Sequence, residues 1–188
     1  MQSCRGFSLI EVLVTLVLTA IGILGMLALQ TKSIQYTQDA VNRNTAITLA
    51  NDLFEIMRTH RAEFFQYTPP QSQTYSGLKS STALYNADGS LKLSAASCPA
   101  SRLPQNALEQ GHCWLKALET YLPGGSEADI QSQLKLCPSY KTGQCADSSY
   151  IGSSIELQIA WRARQGDCLQ EADDSDDSVC TYSARIEL

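Results

Sequence analysis

The chain has 188 residues, 44% of them hydrophobic and 18% charged, with a formal net charge of −5. That length admits one domain with a real core beside a membrane segment, and the acidic balance argues against nucleic acid as a partner, because a polyanion is held through excess Lys and Arg. No G-x-S-x-G or H-E-x-x-H pattern occurs and the histidines, His60 and His112, stand apart from any catalytic constellation, so neither an enzyme nor a cofactor is expected.

After MQSCRG, the run from Phe7 to Leu29 contains one ionisable side chain, Glu11. The run is long enough for a helix to span a bilayer, which takes roughly 20 residues. A carboxylate in hydrocarbon costs about 2.5 to 3.5 kcal/mol on insertion scales, so Glu11 calls for a partner. No small-residue cleavage pattern follows Leu29, and Cys4 precedes the apolar run, which disfavours both a secretory and a lipoprotein signal. A plain retained anchor, with Arg5 holding the N-terminus in the cytoplasm, is the simplest reading of composition alone.

The order Gly6-Phe7-Ser8-Leu9-Ile10-Glu11 at the head of this anchor resembles the class III signal of type IV pilins and pseudopilins. The resemblance implies cutting by a prepilin peptidase between Gly6 and Phe7 and methylation of the new N-terminus on Phe7. It also implies that Glu11 pairs with the terminal amine of a neighbouring subunit and sets register as helices bundle into a filament. Four residues from Phe7 on the same helix face, Glu11 is equally placed to serve the amine of its own chain. Both roles stay open in the sequence. The stretches IGILGMLALQ (21–30) and TAITLANDLFEIMR (45–58) are similar to minor pilins of the type IV pilus.

From that resemblance, residues 1–6 are expected to be a cleaved leader, 7–30 a transmembrane and filament-core helix, and 31–188 a periplasmic head carried on the bacterial inner membrane and then at the pilus tip. The implied partners are other minor pilins and the major pilin, the prepilin peptidase, the inner-membrane assembly platform and a large tip-associated adhesin, in a complex that initiates pilus assembly and supports adhesion or twitching. A pseudopilin of a type II secretion system, or a tip-displayed binding module, is the alternative.

Beyond the anchor, 31–60 lacks Pro and Gly, and Ile34, Val41, Ala46, Leu49, Leu53 and Ile56 recur at helical spacing between Lys32, Asp39, Arg43, Asn51 and Arg58. This predicts an amphipathic continuation whose apolar face covers a core. Gly22 and Gly25 mark either a close-packing face or a flexible point in the same helix. Residues 61–131 read as a connecting region, rich in Pro and Gly after Pro69, with a short strand expected near Ala83–Tyr85 or Leu91–Leu93. Within it Leu108, Trp114, Leu115, Leu118 and Leu122 predict a short helix stopped by Pro123-Gly124-Gly125.

Residues 132–188 alternate with period two, at Leu134 and Leu136, at Ile155, Leu157, Ile159 and Trp161, and at Cys180, Tyr182, Ala184, Ile186 and Leu188. The expected fold is α+β: a long N-terminal helix, half transmembrane and half amphipathic, packed on a small antiparallel sheet covered on one side. The type IV pilin resemblance implies the same architecture.

With Cys4 in the leader, Cys98, Cys113, Cys137, Cys145, Cys168 and Cys180 remain, and the absence of any C-x-x-C pair favours disulfides over zinc. Pairing of sequence neighbours, 98 with 113, 137 with 145 and 168 with 180, is expected because short loops close at least entropic cost, although other connectivities are open. The last pair brackets DCLQEADDSDDSVC. Calcium at Asp173, Asp174, Asp176 and Asp177 is the lesser reading, because the segment lacks the loop pattern and turn glycine of an EF-hand. A solvated acidic loop is the expected one.

Overall fold

The computed structural model describes residues 8–66, 77–146, 150, 152–165, 168 and 178–188. Gly6, Phe7 and the acidic Asp173, Asp174, Asp176 and Asp177 lie outside the described residues. The chain divides into two compact units, Met1–Gln38 and Asp39–Leu188. Helix α1 (Leu9–Thr59) provides the described part of the first and opens the second.

In the first unit the large apolar side chains from Leu9 to Leu29 are all exposed. The two threonines among them need no water, since the Thr15 hydroxyl donates to the Val12 carbonyl at 2.9 Å and that of Thr19 to the Thr15 carbonyl at 2.5 Å. Among the described residues a Cβ on Gly22 or Gly25 would meet nothing within 4 Å, so neither glycine serves a close contact there.

In the second unit α1 buries Ala46, Leu49, Ala50, Leu53, Phe54 and Met57. This stripe starts later than the sequence pattern suggested. Ile34 and Val41 are more than half exposed, whereas Asp39, read as an outward polar position, is buried. The chain then turns through α2 (Arg61–Phe64), which buries Phe64.

The strand expected near 83–85 or 91–93 is reduced to two isolated bridges, Tyr85 with Leu91 and Ser90 with Lys135. Its turn is fixed instead by side chains, as the Asp88 carboxylate accepts from the Ser90 N–H at 2.9 Å and Asn86 exchanges backbone bonds with Gly89 and Ser90. Gly89 has φ of 84°, and a Cβ there would sit 2.8 Å from the Cys145 sulfur, so position and conformation both demand glycine.

Helix α3 (Ala107–Tyr121) buries Ala107, Gly111, Trp114, Leu115 and Leu118, and Trp114 donates its indole N–H to the Leu49 carbonyl of α1 at 2.7 Å. Its start is capped twice. Asn106 Oδ1 accepts from the Glu109 N–H at 2.9 Å, and the Glu109 carboxylate takes a two-pronged bond from Arg102 and the Gln105 N–H. Those bonds, Arg102 first, hold the Glu109 carboxyl down at about 2. Asn106→Ala is expected to cost about 1 kcal/mol, read as a lower thermal midpoint; an unchanged midpoint would show that Arg102 and Glu109 secure the helix start alone.

Helix α4 (Ala128–Ser132), too short to show a period in the sequence, buries Ile130 and is tied to the sheet by Arg162, which bonds Glu127 at 2.7 Å and also Asp129. The sheet has order β1-β2-β3, all antiparallel: β1 (Lys135–Pro138), β2 (Ser154–Arg162) and β3 (Val179–Glu187). Leu136 faces Leu157, Ile155 faces Ile186, Ile159 faces Tyr182 and Trp161 faces Cys180, so one apolar row crosses all three strands toward the core. The opposite face of β2 is not simply solvated. Glu156 and Ala160 are buried there too, Glu156 under the chain after β1, whose Gly143 N–H donates to it.

Candidate functional site

Two regions carry the residues singled out by the sequence: the first turn of α1 and the disulfide-bonded second unit. Ser8 supplies the carbonyl that accepts from the N–H groups of Glu11 at 3.0 Å and Val12 at 3.3 Å, so it stands at the helix N-cap and Glu11 is the third helical residue. This is the S-x-x-E spacing of a capping box, which the apolar pattern had obscured. Glu11 is exposed among the exposed Leu9, Ile10, Val12 and Leu13. From Phe7 to Thr31 the sequence contains no Lys, Arg or His. Lys32, the next cation, lies about 30 Å along the helix at 1.5 Å per residue. On its C-terminal side, then, α1 offers Glu11 no counter-charge within reach.

All six cysteines past Cys4 are bonded, Cys98 to Cys113, Cys137 to Cys145 and Cys168 to Cys180. The first bond ties the short 3-10 turn Ala95–Ser97 to α3. The third ends on β3 beside α1, where Asp39 Oδ1 lies 3.8 Å from the Cys180 sulfur and the Arg43 guanidinium sits 5.8 Å from the Tyr182 ring centre.

The second bond closes a loop that is fixed from inside. Glu156, projecting from β2, accepts from the Gly143 N–H at 2.7 Å and lies 3.0 Å from the Ser139 hydroxyl, which is also within 2.8 Å of the Lys141 and Gln144 carbonyls. From β3, Arg185 donates to the Tyr140 carbonyl at 2.8 Å. Tyr140, Lys141 and Thr142 are thus exposed on a backbone that has little freedom. No signal in the sequence marked Glu156, since its buried partners are remote in the chain.

His112 Nδ1 accepts from the Ser94 N–H at 3.0 Å, and His60 joins α1 to α2 through its N–H to the Ile56 carbonyl at 3.2 Å. No cluster of metal-ligating side chains exists among the described residues.

The prokaryotic N-terminal methylation motif matches residues 1–27 and the type IV pilin Tt1218 family matches residues 28–103. No curated protein and no solved structure matches the chain. The first match takes in Gly6, Phe7 and Glu11, the second the rest of α1 and the connection as far as Leu103. Running without a gap over residues 1–103, on an α+β fold whose long first helix opens in an exposed apolar run, the two matches identify the chain as a type IV pilin-like protein.

Proposed function

We propose that the protein is a minor pilin of the type IV pilus, of the pilus modification (PilV) class, and works as a structural subunit of the complex that primes assembly and rides at the tip. Prepilin peptidase removes residues 1–6 between Gly6 and Phe7, and Phe7 is then methylated. Residues 7–30 hold the subunit in the inner membrane and later join the filament core, with 31–188 as the periplasmic head. The observation that carries this reading is the unbroken exposed apolar surface from Leu9 to Leu29 led by a single carboxylate, Glu11. Such a surface is stable only in lipid or against other helices of its kind.

The three disulfides support a head folded in an oxidising compartment, and this density of cysteine favours the pilus over a secretion pseudopilus. Its partners are then the major pilin, the other minor pilins, the assembly platform and a large tip-associated adhesin. The acidic residues Asp173, Asp174, Asp176 and Asp177 serve as solvated surface rather than a calcium site.

Two measurements test the reading together. Intact mass of the membrane-extracted protein should show loss of six residues and gain of one methyl, and sheared filaments should contain the chain at a small fraction of the major subunit, with piliation falling when it is deleted. Normal piliation with failure of protein secretion would make it a pseudopilin, and an uncut chain would remove the pilin mechanism altogether.

A further inference from the structure

Charges taken into a protein interior are paired or bound to metal. Glu156 on β2 is only 6% exposed, yet none of the ion pairs among the described residues includes it. Arg185, its cross-strand neighbour on β3, donates instead to the Tyr140 carbonyl. Among the described residues the Gly143 N–H and the Ser139 hydroxyl are what meets the carboxylate.

The Ser139 hydroxyl cannot serve all the oxygens around it. It is fully buried, and the Lys141 carbonyl at 2.7 Å, the Gln144 carbonyl at 2.8 Å and Glu156 Oε2 at 3.0 Å crowd its oxygen. One hydrogen faces three acceptors. Even shared between two of them it leaves the third against a lone pair, which is costly in a buried place where no positive charge lies among the oxygens. Oxygens that share one calcium ion at about 2.3 to 2.6 Å stand roughly 3 Å from their neighbours, the spacing found around Ser139 Oγ.

The surroundings suit an ion. A cavity of about 240 Å³ borders the cluster, lined by Gly143, Gln144 and Glu156 and by Asp88 and Lys135, whose opposite charges leave Glu156 to set the charge of the place. The loop is also held from several sides. The Cys137–Cys145 bond closes it, Arg185 fixes the Tyr140 carbonyl, and the Tyr150 hydroxyl lies 3.4 Å from the Ser139 carbonyl. Little ordering is left to oppose binding.

We propose that this disulfide loop binds a calcium ion through the Glu156 carboxylate, the Ser139 hydroxyl and the carbonyls of Lys141 and Gln144, with water from the cavity in the remaining positions. The donors are all hard oxygens, which disfavours zinc and copper, and magnesium requires a small regular octahedron that two loop carbonyls do not supply. Because a single carboxylate takes part, no grouping of acidic, His and Cys side chains marks the site. For the same reason its affinity falls in the range of extracellular calcium modules, about 0.1 to 1 mM. Bound calcium answers the Glu156 charge and stiffens the exposed Tyr140, Lys141 and Thr142.

The test uses the full chain in detergent micelles, stripped with a chelator, held in about 100 mM sodium chloride so that screening stays constant, and titrated with calcium chloride. At about 10 mM calcium, ten or more times the expected dissociation constant, the thermal midpoint should rise by about 3 to 10 °C. Magnesium at the same concentration should leave it nearly unchanged. Glu156→Gln, which keeps the shape and removes the charge, should lose the calcium-dependent rise. Terbium on the wild-type chain should luminesce through Tyr150 beside Ser139 and be displaced by calcium, a readout that needs no variant. Absence of the rise, an equal rise with magnesium, a rise kept in Glu156→Gln, or no calcium-displaceable terbium signal overturns the proposal. So does a rise that disappears when Asp173, Asp174, Asp176 and Asp177 are changed to Asn, since the ion would then belong to the acidic segment.

Discussion

Glu11→Ala is expected to leave the subunit inserted and cut, yet to lower its recovery in sheared filaments about tenfold or more while processed protein persists in the inner membrane. The physical ground is that the apolar run offers Glu11 no cation of its own before Lys32. Packed helices exclude water, and removing one member of a charge pair there costs about 3 to 5 kcal/mol, where each 1.4 kcal/mol is about tenfold in an equilibrium. The capping-box position of Glu11 behind Ser8 supplies a competing explanation, in which the side chain merely secures the helix start. Glu11→Gln separates the two. Glutamine can still cap but carries no charge, so intersubunit pairing predicts that it fails as alanine does, and capping predicts wild-type recovery. Paired immunoblots of sheared filaments and inner membrane, in cells carrying only the variant, read the result. Full recovery of Glu11→Ala would eliminate the register role.

The second large effect concerns stability. Glu156→Ala should destabilise the head by about 2 to 3 kcal/mol, because it removes the acceptor of the Gly143 N–H from a buried place and leaves the Ser139 hydroxyl only the Lys141 and Gln144 carbonyls. Glu156→Gln keeps the shape and one acceptor and should cost about 1 kcal/mol. Denaturant unfolding of the oxidised protein gives the numbers, and hydrogen exchange gives the location, since the Gly143 amide should lose protection in the alanine variant first. A loss below about 0.5 kcal/mol would mean that the Cys137–Cys145 bond fixes the loop without help from Glu156.

What sequence and structure each contribute follows from the range of the forces involved. The apolar run behind Gly6-Phe7 and ahead of Lys32, the helix at Leu108–Leu122 with its Pro123-Gly124-Gly125 stop, and the three strands each repeat at a spacing that neighbouring residues alone define, two for a strand and three or four for a helix turn. These the amino-acid sequence determined by itself, together with the order of Gly6, Phe7 and Glu11 on which the family resemblance rests. Tertiary structure decided the exceptions. Asp39 is buried although it reads as outward, and its neighbour Cys180 lies 141 positions away. Trp114 finds its acceptor at Leu49, 65 positions back, and Glu156 meets Ser139 across 17. Ile34 and Val41 keep the helical period but stay exposed, and Val41 does so although Asp39 beside it is covered, because two residues along a helix point to nearly opposite sides. The strand expected near 83–93 gave way to a side-chain-locked turn pressed against the Cys137–Cys145 sulfurs. Periodicity states which face of an element is apolar; only the partners brought in by the fold settle how much of that face is covered and which polar groups are carried in with it.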